Sequence, residues 1–110
     1  IYSTVDQLLA NGVAFMSAPP DTYFHQVDDR LTHHEEKIGW LQSRGILIDG
    51  APVQEKGDKA GVLLQIFTQT VIGPIFFEVI QRKGDDGFGE GNFQALFDSI
   101  EADQMKRGVL

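Results

Sequence analysis

Glu78 is the residue of this chain whose surroundings most strongly predict chemistry. It lies in the segment 75–81, IFFEVIQ. Strand alternation places Phe76, Glu78 and Ile80 on one face and three apolar residues on the other. An ionised carboxylate among apolar neighbours is costly unless a cation or several hydrogen-bond donors face it. We therefore expect Glu78 to have a partner.

Two interpretations of that partner stay open on the pattern alone. In the first, Glu78 forms a buried ion pair with Arg30, Arg44 or Arg82. In the second, the carboxylate is a metal ligand. An oxygen ligand combined with two histidines forms the facial triad of mononuclear iron(II) oxygenases, which leaves coordination positions open for substrate and dioxygen.

Gln65 is a second polar residue in an apolar strand. In the segment 62–68, alternation places it on one face with Leu63 and Phe67. A core glutamine must find hydrogen bonds, so its amide is paired either within the sheet or with a ligand. Both interpretations remain open.

The histidines do not form a metal motif. His33 and His34 are adjacent, and neighbouring residues on a helix point about 100° apart. The chain has no second histidine four residues from either of them, and the third, His25, is further away. The run HHEE at 33–36 is therefore interpreted as a solvated surface segment.

The glycine-rich segment 84–92 precedes the last predicted helix. Its glycine spacing matches no phosphate-binding loop and its carboxylates match no EF-hand. We expect a hinge that delivers Phe88 and the helix to a site. The helix is predicted to begin at Asn92 as the N-cap. Its apolar stripe, interpreted as a core face or as a cover for a pocket, consists of Phe93, Leu96, Phe97 and Ile100.

The amino-acid composition excludes several classes of function. The 110 residues include no cysteine, which excludes disulfides, thiolate catalysis and cysteine-ligated metals, and fits the cytoplasm. The formal net charge of −7 disfavours nucleic acid and anionic membranes as partners. No apolar run approaches the roughly 20 residues that span a bilayer.

The order of predicted elements indicates a single α+β domain with a largely antiparallel sheet. The first helix has no capping residue before it, so we expect a preceding segment. The elements are a helix over 1–10, a strand over 13–16, helical pieces over 21–44, a strand over 46–49, an exposed loop over 50–61, strands over 62–68 and 75–81 joined at Gly73-Pro74, and a helix from Asn92 to about Lys106.

Five ordered segments resemble the 4-hydroxyphenylpyruvate dioxygenase family. Each is weak alone, but their order and spacing over nearly the whole chain make the resemblance specific. The segments are APPDTY at 18–23, RGILID at 44–49, LLQIFT at 63–68, FEVIQR at 77–82 and GFGEGNF at 87–93.

The resemblance implies a vicinal oxygen chelate fold, which is built from βαβββ modules. Residues 1–110 would be the last module without its first strand, plus the carboxy-terminal helix, with 84–110 as a glycine-rich gate and terminal helix. The two histidine ligands of the family would lie upstream of Ile1. The chain alone is therefore expected to be inactive.

The resemblance also implies roles for individual residues. Glu78 would be the Fe(II) ligand, and Gln65 would be catalytic and face the substrate. The aromatic ring of the substrate would stack on Phe67 and Phe93. The other substrate-binding and gating positions would be Phe88, Gly89, Asn92 and Leu96.

The implied reaction converts 4-hydroxyphenylpyruvate, a 2-oxo acid, and O2 to homogentisate and CO2 in tyrosine and phenylalanine catabolism. Family members are dimers or tetramers, so a homo-oligomer is expected. Two alternatives stay open: a hydroxymandelate synthase-like enzyme, which uses the same substrate and ligands, and a non-catalytic binding or structural module of the same fold.

Overall fold

Five helices and three strands make up the described part of the chain, which comprises residues 1–31, 34–50, 61–84, 87–106 and 108 of a computed structural model. The helices are α1 (Tyr2–Ala10), α2 (Asp21–His25), α3 (Val27–Arg30), α4 (Ile38–Arg44) and α5 (Gly91–Lys106). The strands are β1 (Leu47–Gly50), β2 (Val62–Phe67) and β3 (Glu78–Lys83).

The strands form one antiparallel sheet in the order β1-β2-β3. The central strand β2 reads VLLQIF and is buried almost throughout, as a continuous apolar run predicts. The register places Leu47, Gln65 and Ile80 in one row across the three strands. Residues directly opposite each other project from the same face, so this register decides which side chains can meet.

The other face of the sheet packs against the helices that precede it. Tyr23 and Phe24 of α2, together with Leu41 of α4, have less than a few per cent of their surface exposed. Helix α4 ends at Gly45, which has a φ of +70°, a left-handed conformation that glycine adopts without steric cost. The core therefore lies between the helices and the sheet.

Helix α5 differs from the prediction in its start and in its buried face. It begins at Gly91, so Asn92 is not the N-cap but lies within the first turn. The buried side chains are Asn92, Ala95 and Ser99, whereas Phe93 is 78% exposed and Phe97 is 62% exposed. The interpretation of the apolar stripe as a core face is therefore wrong, because polar contacts and a small residue seat the helix instead.

Other predicted elements differ from the observed ones in length or in their first residue. The predicted strand over 13–16 is reduced to one bridge between Phe15 and Thr68. The predicted strand over 75–81 begins only at Glu78, since Ile75 closes a turn with Ile72. The loop predicted over 50–61 lies almost entirely outside the described residues. No helix in the described part of the chain is long and apolar enough to cross a membrane.

Candidate functional site

Glu78 is the first residue of β3, directly opposite Phe67 of β2. It is exposed, because Phe76 and Phe77 before it are each more than half exposed and do not enclose it. The expectation of a carboxylate between two apolar faces is therefore wrong for this chain. Within the described residues, no hydrogen bond or ion pair involves the carboxylate of Glu78.

None of the three candidate arginines pairs with Glu78. The guanidinium of Arg44 holds Asp6 through two hydrogen bonds of 2.8 and 3.0 Å. Arg30 donates to the carbonyl of Ile48 at 3.2 Å, and Arg82 donates to the carbonyl of Gly87 at 3.2 Å. The ion-pair interpretation of Glu78 has no support among the described residues.

Gln65 lies on the same sheet face as Phe67 and Glu78, opposite Ile80. Its side chain is buried, with 3% of its surface exposed, and its Oε1 has no hydrogen-bond partner in the described part of the chain. Gly89 lies against this amide with a φ of +83°, and a Cβ there would overlap it. The glycine-rich segment therefore covers Gln65 directly, and the position accepts no side chain.

An apolar cavity of about 510 Å³ opens between α5, β2 and the segment before α2. It brings together three of the predicted site residues, Phe67, Phe93 and Leu96. Ser17 is the single lining residue with a polar side chain. The lining residues are Met16, Ser17, Ala18, Pro19, Pro20, Gly45, Leu47, Ile66, Phe67, Phe76, Phe93, Leu96 and Ile100.

Met16 and Phe76 line this cavity but were not predicted. The amide of Met16 donates to the carbonyl of Phe67 at 2.9 Å, which holds the segment before α2 beside the end of β2. The ring of Phe76 meets that of Phe67 edge to face, with centroids 6.0 Å apart. The strand propensity of residues 13–16 was the signal that could have placed Met16 beside the site.

Phe88 is not among the residues that line the cavity. It is 72% exposed, and the guanidinium of Arg82 stacks over its ring at 5.1 Å. Its amide donates to Oε1 of Glu90 at 3.2 Å. The structure thus places Phe88 on the outer side of the glycine-rich segment.

Asn92 is also absent from the cavity lining. It is 2% exposed and accepts a hydrogen bond from the hydroxyl of Tyr23 at 2.5 Å. Burial raises the pKa of Tyr23 to about 12, so the hydroxyl keeps its proton at neutral pH and can donate. The Nδ2 of Asn92 has no partner within the described residues.

The histidine segment is not simply solvated. The side chain of His34 is 6% exposed and its Nε2 lies 2.6 Å from Oδ1 of Asp28, so the surface interpretation is wrong for this residue. His25 is exposed at the end of α2, and His33 lies outside the described residues. Among the residues that the structure describes, no group of three or more His, Asp or Glu could hold a metal ion.

Comparison with known proteins gives long, strong sequence matches. The chain is 62% identical over 110 residues to 4-hydroxyphenylpyruvate dioxygenase of Pseudomonas aeruginosa and 60% identical to the enzyme of that name from a Pseudomonas species. It is 59% identical to a Vibrio vulnificus protein named hemolysin VllY. In each case the whole chain is matched, and it spans about 30% of the relative's length. No protein-family model matches.

Two solved structures share the fold. The first is a variant of 4-hydroxymandelate synthase from Streptomyces coelicolor, with a TM-score of 0.58 and 34% identity. The match covers 94% of this chain and 27% of the synthase chain. The second structure is a fusion of a xylose isomerase-like TIM barrel with 4-hydroxyphenylpyruvate dioxygenase, with a TM-score of 0.68. The match covers 92% of this chain and 15% of the fusion protein at 24% identity, so it supports the fold alone.

The α+β arrangement and its structural neighbours define a protein of the vicinal oxygen chelate fold. The sequence matches point to one family within that fold. Over its whole length the chain is similar to members of the 4-hydroxyphenylpyruvate dioxygenase family, of whose length it spans about 30%.

Proposed function

We propose that this chain is the carboxy-terminal part of a longer iron(II)-dependent dioxygenase that converts 4-hydroxyphenylpyruvate and O2 to homogentisate and CO2. The observation that carries the proposal is the pairing of Phe67 with Glu78 on one sheet face, beside the apolar cavity that Phe93 also lines. The names and the 54–62% identities of the dioxygenase relatives support it.

Glu78 fits an iron(II) site in the chemistry of its donor atoms. Carboxylate oxygen is one of the ligands of the facial triad, and this carboxylate is exposed and unpaired among the described residues. By the resemblance to the family, its two histidine partners would come from the part of the protein before Ile1, and the described residues form no metal-holding group of their own. Bound iron(II) would supply chelation of the 2-oxo acid and activation of dioxygen.

The residues of this chain would bind and orient the substrate. Phe67 and Phe93 offer aromatic faces for its ring, and the apolar lining of the cavity excludes water. The free Oε1 of Gln65 would accept a hydrogen bond from the substrate once the segment at Gly89 moves. We propose that Phe88, Gly89, Asn92 and Leu96 take part in this gate.

The test is replacement of Glu78 by alanine in the full-length protein. We expect Glu78→Ala to lose stoichiometric iron and to lower homogentisate formation by at least about 100-fold, since even outer-shell changes cost 10–100-fold. Glu35→Ala is the matched control, because it removes another exposed carboxylate that belongs to no strand. Full iron occupancy in Glu78→Ala would overturn the ligand assignment.

The second candidate is a hydroxymandelate-forming enzyme, favoured by the 34% identity to 4-hydroxymandelate synthase. The product distinguishes the two, because 4-hydroxymandelate in place of homogentisate would favour the synthase. A full-length wild-type protein that binds neither iron nor the 2-oxo acid would instead favour the non-catalytic module.

Two further properties of the whole protein belong to this proposal. We propose a homodimer or homotetramer located in the cytoplasm, which sedimentation and cell fractionation test. Within residues 1–110, we propose one partial catalytic domain whose segment 84–110 forms the gate and terminal helix.

A further inference from the structure

The first turn of α5 is held by buried polar contacts. The hydroxyl of Tyr23 donates to Oδ1 of Asn92, and the amide of Gly91 donates to Oδ2 of Asp49 at 2.8 Å. A Cβ at Gly91 would overlap the carboxylate of Asp49, so the helix start lies in direct contact with β1. These contacts replace the apolar seating that the stripe on α5 would ordinarily provide.

The single proton of the Tyr23 hydroxyl goes to Asn92. The hydroxyl accepts from the amide of Ile48 at 2.9 Å and lies 3.1 Å from the carbonyl of the same residue. That carbonyl already receives a hydrogen bond from Arg30 at 3.2 Å. Since β1 is an edge strand, its outward backbone groups need such partners. Tyr23 therefore links the sheet edge to the helix start.

This link determines the direction of the next side chain. Successive helical residues point about 100° apart, so an inward Asn92 directs Phe93 outward to the cavity. A second tie between the same two helices lies about two turns further along, where Thr22 donates to the carbonyl of Ser99 at 2.8 Å. The first tie is followed along the helix by the aromatic ring of Phe93, whereas the second is followed by Ile100, which lines the cavity but offers no ring for stacking.

We propose that Tyr23 is a positioning residue: through its hydrogen bond to Asn92 it sets the ring of Phe93 at the cavity that Phe67 shares, and so controls how tightly an aromatic substrate is bound. The substrate part of this statement rests on the proposed function. Replacing Tyr23 by phenylalanine keeps the ring but leaves the Ile48 amide and the Asn92 oxygen unpaired in a buried place.

The kinetic test compares two variants of the full-length protein. Tyr23→Phe is expected to raise KM for 4-hydroxyphenylpyruvate by about tenfold, the effect of one buried hydrogen bond, with kcat changed less than about twofold and iron content unchanged. Thr22→Val removes the other tie between α2 and α5 and is expected to leave KM unchanged. Equal effects of both variants on KM would overturn the proposal.

A double-mutant cycle tests the route through Asn92. Asn92→Ala removes the same contact from the other side, and it remains informative if Tyr23→Phe does not fold. If Tyr23 acts through Asn92, the double variant raises KM no more than the stronger single variant. Additive effects would overturn the proposal.

Hydrogen exchange separates this inference from the proposed function. Tyr23→Phe is expected to speed amide exchange over residues 89–97 by about tenfold and to leave β2 unchanged, with no substrate required. Unchanged exchange over 89–97 would overturn the positioning role. Faster exchange in a protein that does not turn over 4-hydroxyphenylpyruvate would support the positioning of Phe93 and contradict the proposed function alone.

Discussion

Phe67 lies directly opposite Glu78 in the antiparallel pair of β2 and β3, so the aromatic ring and the carboxylate project from the same face of the sheet. Gln65 lies two residues before Phe67 in β2 and on the same face, about 7 Å from it along the strand. The face thus presents an amide, a ring and a carboxylate in sequence. The substrate that we propose, with a phenyl ring at one end and a 2-oxo acid at the other, would suit that order.

The first prediction concerns the two exposed phenylalanines of α5. Phe93 lines the cavity, whereas Phe97, one turn further along, does not. Phe93→Ala in the full-length protein is expected to weaken binding of the aromatic 2-oxo acid by about tenfold, through loss of a stacking ring. Equilibrium binding measured without O2 gives the Kd directly.

Phe97→Ala is the matched control for this measurement. It removes the same side chain from the same helix, and both rings are more than half exposed in the chain. Neither change is expected to lower the unfolding temperature appreciably. A Kd that changes equally in both variants would contradict the assignment of Phe93 to the substrate pocket.

The elements of the fold were predictable because their signals are local. The apolar run of β2, the helix of residues 1–10 and the glycine after α4 each depend on neighbouring residues only. The largely antiparallel sheet was predicted from the order of the elements, in which the three strands follow one another without a helix between them. The family resemblance added the fold type, which the structural neighbours confirm.

The buried face of α5 could not be predicted from periodicity. A helical period identifies an apolar stripe but does not say what lies beneath the helix. Here Asn92, Ala95 and Ser99 are buried, and Tyr23 and Thr22 of α2 donate to Oδ1 of Asn92 and to the backbone carbonyl of Ser99. Those partners are distant in sequence, so no local pattern revealed them.

The exposure of Glu78 has a similar cause. Alternation predicted a strand over 75–81, of which only the part from Glu78 onward is a strand, and burial depends on what covers that segment. Within this chain β3 is an edge strand, and residues 75–78 are exposed. The local pattern predicted an enclosed carboxylate, whereas its actual surroundings depend on long-range packing.

The second prediction concerns pH and Glu36. Burial opposes ionisation, but hydrogen bonds from Tyr2 at 2.6 Å and Lys83 at 2.9 Å outweigh it and hold the pKa of the Glu36 carboxyl below its ordinary value of 4.5. A lowered pKa in the folded state stabilises the fold above pH 4.5, and this contribution is lost as the pH falls through the folded value. We therefore expect Glu36→Gln to destabilise the protein at pH 7 more than at pH 3.

The expected difference is at most about 1 kcal/mol, because solvent reaches Lys83 and screens the pair. Urea unfolding of Glu36→Gln and the wild type at the two pH values measures it. Glu35→Gln changes an exposed neighbour and is expected to shift the unfolding free energy by less than about 0.5 kcal/mol at either pH. A pH-independent loss in Glu36→Gln would count against the ionised contact.

The third prediction concerns Gly89, whose backbone and packing each forbid a side chain. Its φ of +83° is in the left-handed region, and a Cβ would overlap the amide of Gln65. Gly12 has a similar φ of +85° but has nothing within 4 Å of its Cβ position. The left-handed conformation costs alanine about 1–2 kcal/mol, so Gly12→Ala measures the backbone term alone.

Gly89→Ala is expected to destabilise the protein by more than Gly12→Ala, since it adds the overlap to the same backbone term. The difference between their unfolding free energies isolates the contact with Gln65. Adding Gln65→Ala removes the amide and is expected to bring Gly89→Ala close to the Gly12→Ala value. Equal destabilisation by the two glycine variants would mean that the glycine-rich segment does not press on Gln65, and Gln65 would then be open to substrate without movement of the gate.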